Sequence, residues 1–180
     1  MHKMDPGRSL KLEEFMDGIG YHFKRVELLD EALTHCSIKG EIPDARDYER
    51  LEFLGDTVLG YIVTKRLVER DREASESDLS DKRIDLVKNE FLNETGDRLG
   101  ILDYVIIGNS VKTNAQEPKK MAADAVEAVI GAIFVDRGER YAQAFIERFI
   151  IEKEDLRRTF PRSSSRTSRY RAWIPFLRRH

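Results

Sequence analysis

The stretch from Tyr48 to Leu67 constrains the chain more than any other. It contains no proline, and its apolar residues recur at helical spacing, so it is predicted to form one long helix. Leu51, Leu54, Val58 and Ile62 share one side of it. Glu49, Glu52 and Asp56 stand at i, i+3 and i+7 on the other, within an arc of about 60°. That second side is not an ordinary wetted face, because Asp56 is the sole charged residue between Gly55 and Val63. The pattern predicts a helix packed on most sides, with its acids enclosed along one line. Enclosed carboxylates are costly unless a proton, an arginine or a metal neutralises them. Arg50 points about 100° away from Glu49 and does not serve. A solvated acid stripe is the plain alternative, and the apolar wrapping counts against it.

A second acidic pair narrows the choice. Between Met121 and Val135 the only charged residues are Asp124 and Glu127. At i and i+3 they share one face of a predicted helix over 119–136. Their neighbours Ala122, Ala123, Ala125, Ala128, Gly131 and Ala132 are small and allow another helix to come close. Two apolar helices, each with acids aligned on one face, read as partners across an all-oxygen cation site. Ligands of that kind suit Mg²⁺ or Mn²⁺ rather than zinc.

These residues carry a resemblance. Glu49-Arg-Leu-Glu-Phe-Leu-Gly-Asp56 resembles the signature of the ribonuclease III family, and Ala-Asp124-Ala-Val-Glu127-Ala resembles that family's second catalytic motif. Ala32-Leu-Thr-His-Cys-Ser37 is similar to a third recurrent segment upstream. The likeness covers residues 12–154. It implies an all-α fold, the helical endonuclease domain of that family, working as a two-fold homodimer on double-stranded RNA. It implies that Glu52, Asp56, Asp124 and Glu127 are the metal-binding and catalytic carboxylates, with Asp56 and Glu127 the most critical. Glu49 and Glu76 match two further acids near the same site. Phe53 matches an aromatic that plugs a socket on the partner subunit, and an ordinary core phenylalanine is the alternative. The products implied are 5′-phosphate and 3′-hydroxyl ends with short 3′ overhangs, in the processing of rRNA and other RNA. The chain departs from the bacterial pattern in two places. No double-stranded-RNA-binding domain fits after Glu154, and Cys36 stands where the family often has a basic residue.

Composition sets the remaining bounds. A single cysteine, Cys36, rules out an internal disulfide and points to a reducing compartment. No apolar run is long enough to span a membrane, and the N-terminus lacks an apolar signal core, so a cytoplasmic location is expected. At 180 residues one domain is expected: an N-terminal extension over 1–10, a catalytic domain over 11–155 and a basic tail over 156–180. The tail holds eight arginines and no acid. Its readings are an RNA-holding arm with aromatics for stacking, or an extension that packs on a partner or stays unfolded.

Along the body, helices are predicted over 10–16, 26–35, 79–89, 91–99 and 141–153, with Ile101–Ile107 as a short extended piece and 108–118 as a polar loop. Ser75 and its neighbours read as cap-forming. His35, at a helix end, is read as capping or packing, against a catalytic base or a ligand. The resulting reading is metal-dependent hydrolysis of double-stranded RNA, with no side-chain nucleophile required. The alternative is a non-catalytic RNA-binding or ribosome-associated protein on the same fold. Such a protein is expected to have lost acids from the cation site, and here all stand.

Overall fold

The computed structural model describes residues 5–109 and 118–152. The basic tail and most of the polar loop lie outside the described residues. The described residues form an all-α domain. In order they are α1 (Pro6–Ile19), α2 (Val26–Ala32), α3 (Glu49–Arg70), α4 (Glu76–Val87), α5 (Asn89–Leu99), α6 (Pro118–Arg137) and α7 (Glu139–Ile146). Short 3₁₀ turns cover Cys36–Gly40 and Ile101–Asp103, and α7 widens into a π turn over Glu147–Ile151. No helix among the described residues is long and apolar enough to cross a membrane.

Helix α6 is the axis of the domain. Every residue from Met121 to Ile133 is buried, because α2, α3, α5 and α7 all pack against it. An apolar helix wrapped in this way is what an all-round hydrophobic pattern demands. Its partner α3 buries Leu51, Val58, Leu59, Ile62 and Val63. The two helices meet backbone to backbone at a pair of glycines. A Cβ on Gly55 would lie 1.8 Å from the carbonyl oxygen of Glu127, and one on Gly131 would lie 2.1 Å from that of Leu51. The small residues on α6 therefore serve the close approach expected of them, and Gly55 supplies the matching gap on α3.

Local chemistry explains where element ends differ from expectation. Helix α1 begins at Pro6 rather than Leu10, because Asp5 caps it by accepting from the Arg8 N–H at 3.1 Å. Pro6 sits in the first turn, where its missing N–H costs nothing. Helix α4 begins at Glu76 rather than Leu79, because Ser75 and Asp78 close a capping box. Helix α2 stops at Ala32 instead of running to His35. Beyond it His35 N–H donates to the Ile106 carbonyl at 2.9 Å, and Ile106 N–H donates to that of Leu33 at 2.8 Å. The segment expected to be extended over 101–107 is extended only at this one parallel bridge, between Thr34 and Ile106. With no neighbouring strand to pair among the described residues, its first residues take a 3₁₀ turn instead.

Asp136 ties the far end of α6 to the loop after α1. Its side chain is fully buried and accepts from the Tyr21 hydroxyl at 2.7 Å, the Lys24 N–H at 2.9 Å and the Arg25 N–H at 3.1 Å. Burial alone would raise its carboxyl, but these donors and Arg137 hold it below the ordinary range. A depressed carboxyl contributes stability above its unfolded pKa and loses it as pH falls through the folded one. Asp136→Asn is expected to cost about 2 kcal/mol, the scale of hydrogen bonds to a charged group. In thermal melts it should lower Tm at neutral pH and flatten the acid side of the stability curve. An unchanged melt would contradict this role.

Candidate metal centre

The acids of α3 and α6 converge beside the glycine crossing. Glu52, Asp124 and Glu127 each present a carboxylate oxygen, and the three lie within 4.8 Å of one another. The register follows from the contact itself, since Gly55 touches the carbonyl of Glu127 and Gly131 touches that of Leu51. Glu52 and Asp56 flank Gly55 in sequence, so the crossing delivers α3 acids to the α6 pair.

The pocket is enclosed on one side only, which corrects the expectation of a buried acid line along α3. Asp124 and Glu127 are each 8% exposed, Glu52 is half-buried, and Glu49 and Asp56 are exposed. The reason is the position of the two helices. Helix α6 is surrounded, whereas α3, though it packs on α6, α4, α7 and α2, leaves Glu49 and Asp56 of its acid line exposed at the mouth. The site thus has a buried floor from α6 and an open rim from α3.

The electrostatics record the crowding. Burial pushes the Glu127 carboxyl up to about 8, and Asp56, then Glu52, then Asp124 add to the rise. Burial also raises Glu52, with Asp124 the strongest neighbouring charge, and raises Asp124 itself. Asp56, outside the tight group of three, is still the charge that acts most on Glu127. Against these acids stands Lys120, one turn before Asp124, with its Nζ 3.8 Å from a carboxylate oxygen. Its side chain is 72% exposed, so it is an outlying counter-charge and not a buried partner. Among the described residues no guanidinium is paired with Glu52, Asp124 or Glu127.

The other expected residues fall outside the tight group. Glu49 lies at the start of α3, 3.7 Å from the Lys39 ammonium, which also pairs with buried Asp47. Glu76 is exposed at the first turn of α4, where it accepts from the Ser80 hydroxyl at 2.8 Å. Phe53 is 79% exposed, so it is not the core phenylalanine that served as its alternative. His35 does cap, as expected: its Nδ1 accepts from the Ser37 N–H at 3.1 Å.

Three neighbours of the site escaped the sequence reading. Lys120 was detectable, because a lysine four residues before an acid on a helix is a standard ion-pair spacing. Tyr48 packs edge-on against His35, with ring centroids 5.4 Å apart. Asn93 on α5 accepts from the Ala123 N–H at 3.0 Å, beside Asp124. Asn93 comes from a part of the chain that only the folded arrangement brings near, whereas Tyr48 directly precedes Glu49 and what the sequence leaves out is its packing on His35.

A donor set of carboxylate oxygens alone, half buried and without a guanidinium, fits a hard divalent cation. It is a poorer match for zinc, whose protein sites are built mainly on nitrogen and sulfur ligands.

Comparison with known proteins bears on the family and the fold. The family model described as Ribonuclease-III-like matches residues 25–154. Ribonuclease 3 of Coxiella burnetii is 35% identical over 158 residues, covering 87% of this chain and 66% of that protein. Ribonuclease 3 of Alkalilimnicola ehrlichii is 42% identical over 127 residues, covering 70% of this chain and 54% of that protein. The chain thus spans just under two thirds of the first relative and about half of the second. The nuclease domain of ribonuclease III from Campylobacter jejuni superposes with a TM-score of 0.72 at 32% identity, covering 78% of this chain and 96% of that one. Dicer from Giardia intestinalis shares the fold, with a TM-score of 0.65 at 21% identity over 84% of this chain and 20% of its own. On the family match, the identities and the superposition together, the chain belongs to the ribonuclease III family.

Proposed function

We propose that this domain hydrolyses phosphodiester bonds in double-stranded RNA with the help of Mg²⁺ or Mn²⁺, leaving 5′-phosphate and 3′-hydroxyl ends, as in rRNA processing. The observation that carries the reading is the convergence of Glu52, Asp124 and Glu127 within 4.8 Å, two of them buried and none neutralised by arginine. Glu52, Asp124 and Glu127 hold the cation, and Asp56 stands at the rim, where its charge reaches Glu127. When bound, the cation supplies Lewis acidity at the phosphodiester and lowers the pKa of water. Without it, the carboxyl of Glu127 keeps its proton up to about pH 8, so loading the site at neutral pH releases that proton from Glu127. The buried floor keeps the α6 carboxylates fixed, and the open rim admits a wide polymer. A duplex is read by its shape and backbone more than by its bases, which suits an open rim.

The test is incubation of the full chain with long double-stranded RNA and Mg²⁺, with and without EDTA. The expected result is fragmentation with 5′-phosphate ends that EDTA abolishes. Cleavage undiminished by EDTA, or none with either cation, contradicts the proposal.

The proposed working form is a two-fold homodimer in which Phe53 of each protomer inserts into the other. Its 79% exposure is the supporting observation, since a large apolar side chain so exposed marks a contact surface when others lie nearby. Tyr61, at 52%, and Val68, at 51%, are exposed on the same helix. Phe53→Asp removes about 2 kcal/mol of apolar burial per protomer. The dimer dissociation constant should then rise about a thousandfold, read by sedimentation equilibrium. An unchanged constant contradicts the placement of Phe53.

A further inference from the structure

Helix α5 grips α6 immediately before the acid pair, at two points on one of its faces. Asn93 and Gly96 stand three apart on α5 and so face the same way. At Gly96 the two helices approach closely: an added Cβ would lie 3.0 Å from both the Cβ and the carbonyl oxygen of Ala122. At half-buried Asn93 the link is polar. Its side-chain oxygen accepts from the Ala123 N–H at 3.0 Å. An N–H within a helix ordinarily serves the carbonyl four residues back, so an oxygen from a neighbouring helix upon it is a specific tie. Ala122 and Ala123 are buried and directly precede Asp124. Alanine against glycine packs closely but resists rotation poorly, because apolar burial has no direction. A hydrogen bond does have one, since it weakens as its angle departs from linear. Rotation matters at this site. Side-chain ends lie about 5–6 Å from a helix axis, so a turn of about 10° moves them about 1 Å. Metal–ligand distances hold to within about 0.2 Å.

We propose that Asn93 is a positioning residue of the cation site: its hydrogen bond to the Ala123 N–H fixes the rotation of α6, and with it the aim of Asp124 and Glu127 toward Glu52. The inference rests on the cation-site reading above. Asn93 acts through the α6 backbone, not on the cation. Surrounding residues that orient metal ligands are worth about 10-fold or more in affinity.

Mn²⁺ titration of the full chain, followed by electron paramagnetic resonance and set beside thermal melts, tests it. Asn93→Leu keeps the size of the side chain and removes the acceptor, so its Mn²⁺ affinity should fall about 10-fold. Asn93→Asp keeps an acceptor oxygen in place and should bind at least as tightly as the wild type. Thr95→Val is the control for stability. It deletes a fully buried hydroxyl on the same helix, one that donates to the Phe91 carbonyl at 3.1 Å, and leaves the Asn93 link alone. It should melt lower with its Mn²⁺ affinity unchanged. If Asn93→Leu does not fold, Asn93→Ala takes its place in the same comparison. Equal affinities for the variants with and without the acceptor sink the role of Asn93 and leave the cation site standing. A loss in Thr95→Val as large as that in Asn93→Leu sinks it too, because affinity would then follow stability alone. A wild-type chain that takes up no Mn²⁺ removes the site, and this inference with it.

Discussion

Gly55→Ala is expected to lower the thermal midpoint by at least about 6 °C, the equivalent of roughly 3 kcal/mol in a domain of this size. The added methyl would lie 1.8 Å from the carbonyl oxygen of Glu127 and 2.6 Å from its carbon. Both are backbone atoms of a helix buried on all sides, so no side chain can swing away and the helices must part. Gly131→Ala should behave alike, since its methyl would meet the Leu51 carbonyl at 2.1 Å. Parting the helices also separates the α3 acids from the α6 acids. Where such a variant still folds, its Mn²⁺ affinity should therefore fall together with its stability. Gly18→Ala is the control, because a Cβ there meets nothing within 4 Å. Equal midpoints for Gly55→Ala and Gly18→Ala would mean that α3 and α6 do not touch as described.

Glu127→Gln is expected to abolish cleavage while leaving the fold intact. The cation it helps to hold is asked for several kcal/mol of transition-state stabilisation, so the rate should drop about a thousandfold or more. Stability should move differently. The Glu127 carboxyl rises from its ordinary 4.5 to about 8 in the folded chain. Between those values the folded state holds a proton that the unfolded state has released, so the cation-free protein loses stability as pH climbs through this window. Above about 8 the folded chain carries the full cost of a buried carboxylate. Glutamine stays neutral, so Glu127→Gln should flatten that slope and melt above the wild type at alkaline pH in EDTA. Mg²⁺ should restore the wild type and do little for the variant. A variant that still cuts at a near-normal rate contradicts the assignment of Glu127, and one with an unchanged pH slope contradicts its burial.

The convergence of two acidic helices was legible because it is written in short-range pattern. Spacing of three places Asp124 and Glu127 on one face, and the small residues around them announce a close neighbour. What pattern does not carry is how deep each helix lies. Glu49 and Asp56 share a wheel face with Glu52, yet they are exposed, because the helices packed on α3 leave that face open. The exposure of Phe53 has the same cause. Within one helix a core aromatic and a surface aromatic look alike. Glu76 illustrates a further limit: its distance from α3 and α6 depends on the turn between α3 and α4, which local periodicity does not describe. The setting of His35 was hidden for a related reason. Its backbone partner Ile106 lies about seventy residues away, across a single bridge that no alternation of apolar residues foretells.

The central claim is that carboxylates from α3 and α6 share one divalent cation, and diffraction from crystals grown with Mn²⁺ tests it most directly. The account predicts an anomalous peak among Glu52, Asp124 and Glu127, within about 2.0–2.3 Å of an oxygen from each helix. A site that stays empty under saturating Mn²⁺, or one in which the Lys120 ammonium takes that place, would contradict it.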